Sequence, residues 1–240
     1  MTGEKSAIII FDDGDLIAAV KPAGMLVHSS PIDKNCTENF ADLVSRDCGT
    51  ELKLLHRLDK PTSGLVLFCR SAVLARGISD LFLTQHPEKR YLAVCRGWPN
   101  DEGRIDHPLR TIVDSRGKKV LKGDLKEAVT TWKVIKRYEL PFPDRHHPTS
   151  RLSLCEINPQ TGRFHQIRRH FKHISHQIIG DTTHGDGFYN RLFREKVGIS
   201  RMMLHALSIT FAHPISGVQI RIETEIPGEF SSSFLGHELF

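Results

Sequence analysis

The apolar positions change period several times along the chain, and each change marks an element. Residues 65–69, Leu-Val-Leu-Phe-Cys, form an unbroken apolar run with the length of a buried strand. Ahead of it, residues 7–20 read as two short strands around Asp12-Asp13-Gly14-Asp15, where Asp-Gly supplies the backbone freedom of a tight hairpin. Residues 37–46 place Phe40, Leu43 and Val44 at i, i+3 and i+4 behind Thr37 as a cap, the pattern of a short amphipathic helix. Residues 72–85 repeat that pattern at greater length, with Ser71 as the cap, Leu74, Ile78, Leu81 and Phe82 as the stripe, and Pro87 beyond the end.

Downstream, residues 88–95 read as a strand that Lys89 and Arg90 introduce. Residues 130–139 and 151–157 alternate, with Trp132 and Val134 on one and Leu152 and Leu154 on the other, and the Pro-rich loop 141–150 joins them. Phe164, Ile167, Phe171 and Ile174 fall at i, i+3, i+7 and i+10, so a helix beginning after Gly162 buries these four and turns His165, Arg168, Arg169 and Lys172 elsewhere. Residues 189–197 make one more short helix. Residues 205–211 and 218–223 alternate on either side of His213-Pro214-Ile215-Ser216-Gly217, which predicts a closing hairpin. Residues 100–126, by contrast, are charged and turn-rich and predict a solvated excursion able to lie along a polyanion.

Composition narrows the classes. A chain of 240 residues can bury a large core, and 39% hydrophobic with 25% charged residues describes a globular rather than a disordered protein. The net charge of +5 points to an anionic partner, since Lys and Arg beside phosphates release counterions. Five cysteines, Cys36, Cys48, Cys69, Cys95 and Cys155, are odd in number, widely spaced and form no C-x-x-C, which argues against a disulfide framework and a thiolate zinc site and fits a reducing cytoplasm. His165, His170, His173 and His176 lack a carboxylate or thiolate to complete a ligand pattern and have basic neighbours, so no metal is expected. No apolar run approaches the ~18 residues of a membrane span, and the patch at residues 7–11 is too short for a signal peptide. A soluble, cytoplasmic protein with no membrane partner is expected, and a monomer, because no exposed apolar stripe stands out.

The most specific stretch is residues 54–70, L-L-H-R-L-D-K-P-T-S-G-L-V-L-F-C-R. A charged turn, His56-Arg57-Leu58-Asp59-Lys60, precedes the breaks at Pro61 and Gly64 and stands at the lip of the buried strand. Taken alone, Asp59 would also suit an ordinary capping turn. The eight residues His56, Arg57, Leu58, Asp59, Thr62, Ser63, Gly64 and Leu65, however, resemble the signature H-R-L-D-x-x-T-S-G-L of the RluA-type pseudouridine synthases. The resemblance implies that Asp59 is catalytic and that Arg57 reaches into the RNA as the target uridine swings out. A second block, T-G-R-x-H-Q-I-R, is met as Thr161, Gly162, Arg163, His165, Gln166, Ile167 and Arg168, and it implies an ion pair between Arg168 and Asp59. The segment K-x-Y-L-A, met as Lys89, Tyr91, Leu92 and Ala93, makes Tyr91 the ring that stacks on the flipped uracil. K-P-x-G, met as Lys21, Pro22 and Gly24, also recurs in that family, and Lys21 joins Arg57 and His165 as residues expected on the substrate. Two positions depart from the pattern: Gln177 stands where a Pro is common, and His184 where a Tyr before Gly185 is usual. Both shape loops, so they bear on substrate details rather than on the chemistry.

The resemblance covers residues from about 8 to 227. It implies an α+β fold, a mixed but mostly antiparallel sheet flanked by helices with a central RNA-binding cleft, as one catalytic domain over residues 1–240 with no S4-like module ahead of it. Converting uridine to pseudouridine breaks the C1′–N1 bond, turns the uracil and joins C5 to C1′, so no cofactor is expected, and the chain carries neither a Rossmann fingerprint nor a P-loop. The base has to be flipped out of its stack at a cost of a few kcal/mol. Arg57 would fill the vacated place, Tyr91 would cover the ring, and the Arg168 guanidinium would keep Asp59 ionised. A carboxylate there can attack C1′, add to the ring or remove a ribose proton; the resemblance implies the last, through a glycal-like intermediate. Asp59, Tyr91 and Arg168 are expected in one basic cleft with Arg57 at its rim. The expected partner is RNA, with the tRNA-modifying members that act at uridine 65 as the best match. Ribosomal RNA or another tRNA uridine is the near alternative, and a non-catalytic RNA-binding domain or a nucleoside hydrolase the distant one.

Overall fold

These patterns become strands and helices in the computed structural model, which describes residues 6–28, 38–115, 118–213 and 215–231, with backbone alone for 112–122. In chain order they are β1 (Ile8–Asp12), β2 (Leu16–Lys21), α1 (Phe40–Asp47), β3 (Lys53–Leu54), β4 (Ser63–Cys69), α2 (Ala72–Gln85), β5 (Glu88–Arg96), β6 (Glu102–Asp106), β7 (Leu109–Ser115) and β8 (Lys118–Lys126). There follow β9 (Val129–Leu140), β10 (Ser150–Pro159), α3 (Gln166–His173), α4 (Gly187–Val197), β11 (Leu204–Ala212) and β12 (Gln219–Glu223). The chain gathers into two compact units, one of residues up to Lys89 with Ala206–Thr224, the other of Arg90–His205 with residues from Glu225. Among the described residues no helix is long and apolar enough to cross a membrane. The described cysteines Cys48, Cys69, Cys95 and Cys155 are free thiols, and Cys36 lies outside the described residues.

In the first unit β4 runs between β2 and β11, with β1 beyond β2, β3 against β4 and β12 against β11. The β1–β2, β2–β4, β3–β4 and β11–β12 ladders are antiparallel. β4 is buried along its whole length because both of its faces are covered. Leu65, Leu67 and Cys69 pack with Ile78 of α2 and with Ile209, Phe211 and Ile222. Phe68, on the alternate face, meets Phe40 of α1 with ring centroids 5.9 Å apart. α2 begins where its stripe predicts, with Ser71 accepting the Leu74 N–H. α1 begins at the first residue of its stripe, Phe40: Asn39 accepts the Asp42 N–H and is the cap. The expected cap, Thr37, lies outside the described residues.

In the second unit the sheet order is β5-β10-β9-β6, again antiparallel. Ile167 and Phe171 of α3 pack on Ala93, Cys95, Cys155 and Ile157. Trp132 meets Phe171 edge-on at 6.2 Å. Among the described residues β7 and β8 pair only with each other, so the charged region carries β6 and then a separate two-stranded ladder. A two-stranded ribbon outside the main sheet is under little pressure to alternate apolar with polar residues, and its sequence lacks the period-2 signal.

One glycine ties the first unit together. Gly64 faces Lys21 in the β2–β4 ladder, has φ +116, and a Cβ there would stand 2.2 Å from the Ala206 carbonyl oxygen. Conformation and space both demand the bare backbone. Gly64→Ala is therefore expected to cost at least ~3 kcal/mol of stability, read as a lower urea midpoint. An unchanged midpoint would contradict this close approach.

Candidate active site

The turn that carries Asp59 is fastened at several points. The Leu55 N–H donates to Leu67 O at 3.0 Å, and the Leu67 N–H donates to His56 Nε2 at 3.2 Å, so residues 55 and 56 are zipped to β4. As an acceptor at Nε2, His56 is neutral; burial, helped by the nearby Lys89 charge, pushes its pKa down to about 3. Leu58 is buried in the core, and the Thr62 N–H closes the turn on Asp59 O at 3.0 Å. With Leu58 turned inward, Arg57 is exposed and Asp59 half-buried.

The strongest fastening comes from Lys21. It is fully buried, and its Nζ donates to the carbonyls of Pro22 (2.8 Å), Met25 (2.8 Å) and Lys60 (3.1 Å). Gly24, at φ +86, donates its N–H to the same Lys60 oxygen at 2.8 Å. An ammonium donates up to three hydrogen bonds, and here it gathers three backbone carbonyls from the loop and the turn. The K-P-x-G segment thus braces the turn that bears Asp59.

In the second unit, the T-G-R-x-H-Q-I-R block is the entry to α3, and Gln166 knots it. Its Oε1 accepts from Thr161 Oγ1 (2.7 Å) and the Arg163 N–H (3.0 Å), while its Nε2 donates to Val129 O (2.9 Å) and Thr130 Oγ1 (3.0 Å). His165 precedes the helix in the left-handed region, φ +53 and ψ +29, a conformation that costs a non-glycine residue ~1–3 kcal/mol and persists only where surroundings enforce it. Its ring stacks on Phe164, centroids 3.7 Å apart, and its Nδ1 lies 2.9 Å from His184 Nε2.

Arg168 is buried and forks onto Asp181, Nε to Oδ2 at 2.7 Å and Nη2 to Oδ1 at 2.8 Å. The same Oδ1 accepts the Thr183 and His184 N–H groups at 2.8 and 2.9 Å. Burial alone would raise the Asp181 pKa, but the Arg168 and backbone hydrogen bonds and the Arg168 charge outweigh it and hold the carboxyl below its ordinary range. Sequence reasoning missed Asp181 as a functional neighbour; the only signal was a carboxylate in the loop where the chain departs from the family pattern. Tyr91 is half-buried on β5, opposite Ile157 in the ladder and packed against the cluster of Ala93, Cys95 and Phe171. His170, in the His-rich helix, is structural: Nδ1 lies 2.9 Å from Thr130 Oγ1 and Nε2 3.0 Å from His107 O. Among the described residues no group of three His, Cys, Asp or Glu is arranged to hold a metal.

Two outcomes follow from this geometry. Lys21→Met is expected to lose ~1–3 kcal/mol of stability, as carbonyls lose their donor, and to lower activity without changing the slope of RNA affinity against salt, since no phosphate contact is removed. A slope smaller by about one would restore Lys21 to the RNA. Asp181→Asn takes the forked carboxylate away from a buried guanidinium and is expected to cost ~3–5 kcal/mol at pH 7 in denaturant titration. Because the folded pKa of Asp181 lies below the unfolded value, its contribution is complete above that unfolded value and is lost as pH falls through the folded one. The gap between wild type and variant should accordingly narrow in acid; a gap independent of pH would refute the linkage.

Residues 15–173 match the family described as RNA pseudouridylate synthase, a span that holds both the Asp59 turn and Arg168. The chain is 43% identical over 208 residues to tRNA pseudouridine synthase C of Vibrio cholerae, covering 86% of this chain and 85% of that protein. It is 39% identical over 220 residues to the protein of the same name from Vibrio vulnificus, covering 91% and 90%. The relative from Pasteurella multocida is 42% identical over 216 residues, covering 89% of each. Among solved structures, human RNA Pseudouridylate Synthase Domain Containing 1 aligns with a TM-score of 0.70 at 24% identity, covering 95% of this chain and 86% of that one. Human RNA Pseudouridylate Synthase Domain Containing 4 aligns at 0.69 and 23%, covering 93% and 90%. These two share its fold, and the family match and the curated relatives establish that the chain belongs to the RNA pseudouridylate synthases and is an isomerase of uridine.

Proposed function

We propose that the chain converts uridine 65 of tRNA to pseudouridine in the cytoplasm, with Asp59, Tyr91 and Arg168 as its catalytic residues and Arg57 and His165 on the RNA. The observation that carries this reading is the agreement of relatives 39–43% identical over most of both chains, each named tRNA pseudouridine synthase C. The signature positions of Asp59, Tyr91 and Arg168 are all filled.

The reaction balances without a co-substrate: the C1′–N1 bond breaks, C5 bonds to C1′, the C5 proton leaves and N1 takes one up. What the protein has to supply is a base, a place for the flipped uracil and compensation for the lost stacking. Asp59 supplies the base, removing a ribose proton in a glycal-like route, and its turn is fixed to β4 and to the Lys21 brace. Arg57, exposed beside it, is free of the core to enter the vacated stack. Tyr91 offers an aromatic face of the kind a uracil stacks on. Arg168 acts as a cation whose guanidinium is oriented by Asp181.

Mapping of pseudouridines in total RNA from cells with and without the gene tests the substrate. One tRNA position should lose its pseudouridine and regain it with the wild-type gene. Asp59→Asn and Asp59→Ala should not restore it, with rates down by ~10²–10⁴ or more, while tRNA binding persists. Loss confined to ribosomal RNA would overturn the tRNA reading, and restoration by either variant would overturn the role of Asp59.

A further inference from the structure

We infer that His184 is a positioning residue: its imidazole orients the His165 ring, so that the affinity of the chain for its RNA depends on His184 acting through His165. This rests on the reading of His165 as a residue on the RNA.

The His165 ring is held from two directions. Phe164 lies along its face at 3.7 Å with the planes 22° apart, and His184 approaches an edge, Nε2 to Nδ1 at 2.9 Å, with the two rings near perpendicular at 82°. A stacked neighbour fixes the plane of an imidazole but lets it slide along that face; a hydrogen bond to one nitrogen removes that freedom. The backbone of His165, at φ +53, also needs outside support; Gln166 ties down the residues just before it, and His184 holds its ring.

His184 is itself well placed to set a reference. Its N–H donates to Asp181 Oδ1 at 2.9 Å, and that carboxylate carries the fork from Arg168. One carboxylate thus fixes Arg168 directly and fixes the backbone from which His184 reaches His165. Burial, with the charges of Arg168, Lys172 and Arg169, pushes the His184 pKa down to about 4 against the pull of Asp181. At neutral pH the ring is therefore uncharged, a hydrogen-bonding partner for His165 rather than a cation for phosphate. His184 also stands where a Tyr is usual in the sequence pattern, so this chain builds the support with a side chain of different reach and donor geometry.

A double-mutant cycle tests the inference, using steady-state kinetics on tRNA transcripts and thermal melts of each variant. His184→Phe, which fills the space without the hydrogen bond, should raise KM about tenfold with kcat within about twofold and an unchanged melting temperature. His184→Gln, which keeps a donor and an acceptor, should recover most of that loss. In a His165→Ala background, His184→Phe should add no more than about twofold. A full tenfold loss persisting in that background, or a His184→Gln variant as poor as His184→Phe, overturns the inference. A wild-type KM in His165→Ala overturns the reading of His165 beneath it. Wild-type protein that modifies ribosomal RNA but not tRNA overturns only the choice of substrate, and the cycle is then read on that RNA.

Discussion

A buried ammonium has to give its protons to acceptors inside the protein, and at Lys21 those acceptors are backbone carbonyls. One of them belongs to Lys60, the residue after Asp59, so satisfying the ammonium also decides where the Asp59 turn lies. Gly24 shares that carbonyl, and Gly64, the ladder partner of Lys21, lets β4 approach Ala206 closely enough to close the sheet. K-P-x-G and H-R-L-D-x-x-T-S-G-L stand far apart in the sequence, yet they are two parts of one construction. The Lys21 ammonium holds the turn that bears Asp59 in place.

The second unit solves a related problem with a carboxylate in place of carbonyls. A guanidinium buried at Arg168 is tolerable because Asp181 takes it in a fork and backbone N–H groups from the 183–184 turn share the carboxylate. The arrangement holds Arg168 in one orientation, which a flexible surface arginine would lack. It also links the entry of α3 to the loop that carries His184, so that His165 and Arg168 take their positions from a common turn.

Much of this was legible in the sequence, and the failures have physical causes. β4 and α2 were readable because an unbroken apolar run and a helical stripe each report burial directly. Asp59, Arg57, Tyr91 and Arg168 stood out because they fill specified positions of the signature blocks. The bracing by Lys21 was not legible because a lysine at a strand end is ordinarily exposed, and nothing local announces that carbonyls will surround it. Asp181 was passed over because its partner lies thirteen positions earlier on another element, a pairing that only the folded chain reveals. β7 and β8 were hidden by charge, which interrupts alternation without preventing a ladder.

The central claim is that this chain isomerises a tRNA uridine by way of Asp59. The most direct measurement follows the one proton that must leave C5: purified protein is incubated with tRNA whose uridines carry tritium there, and tritium released to water is counted. The account predicts release approaching one tritium per tRNA with the wild-type protein and none above background with Asp59→Asn. Undiminished release from the Asp59→Asn protein, or none from the wild type, would contradict it.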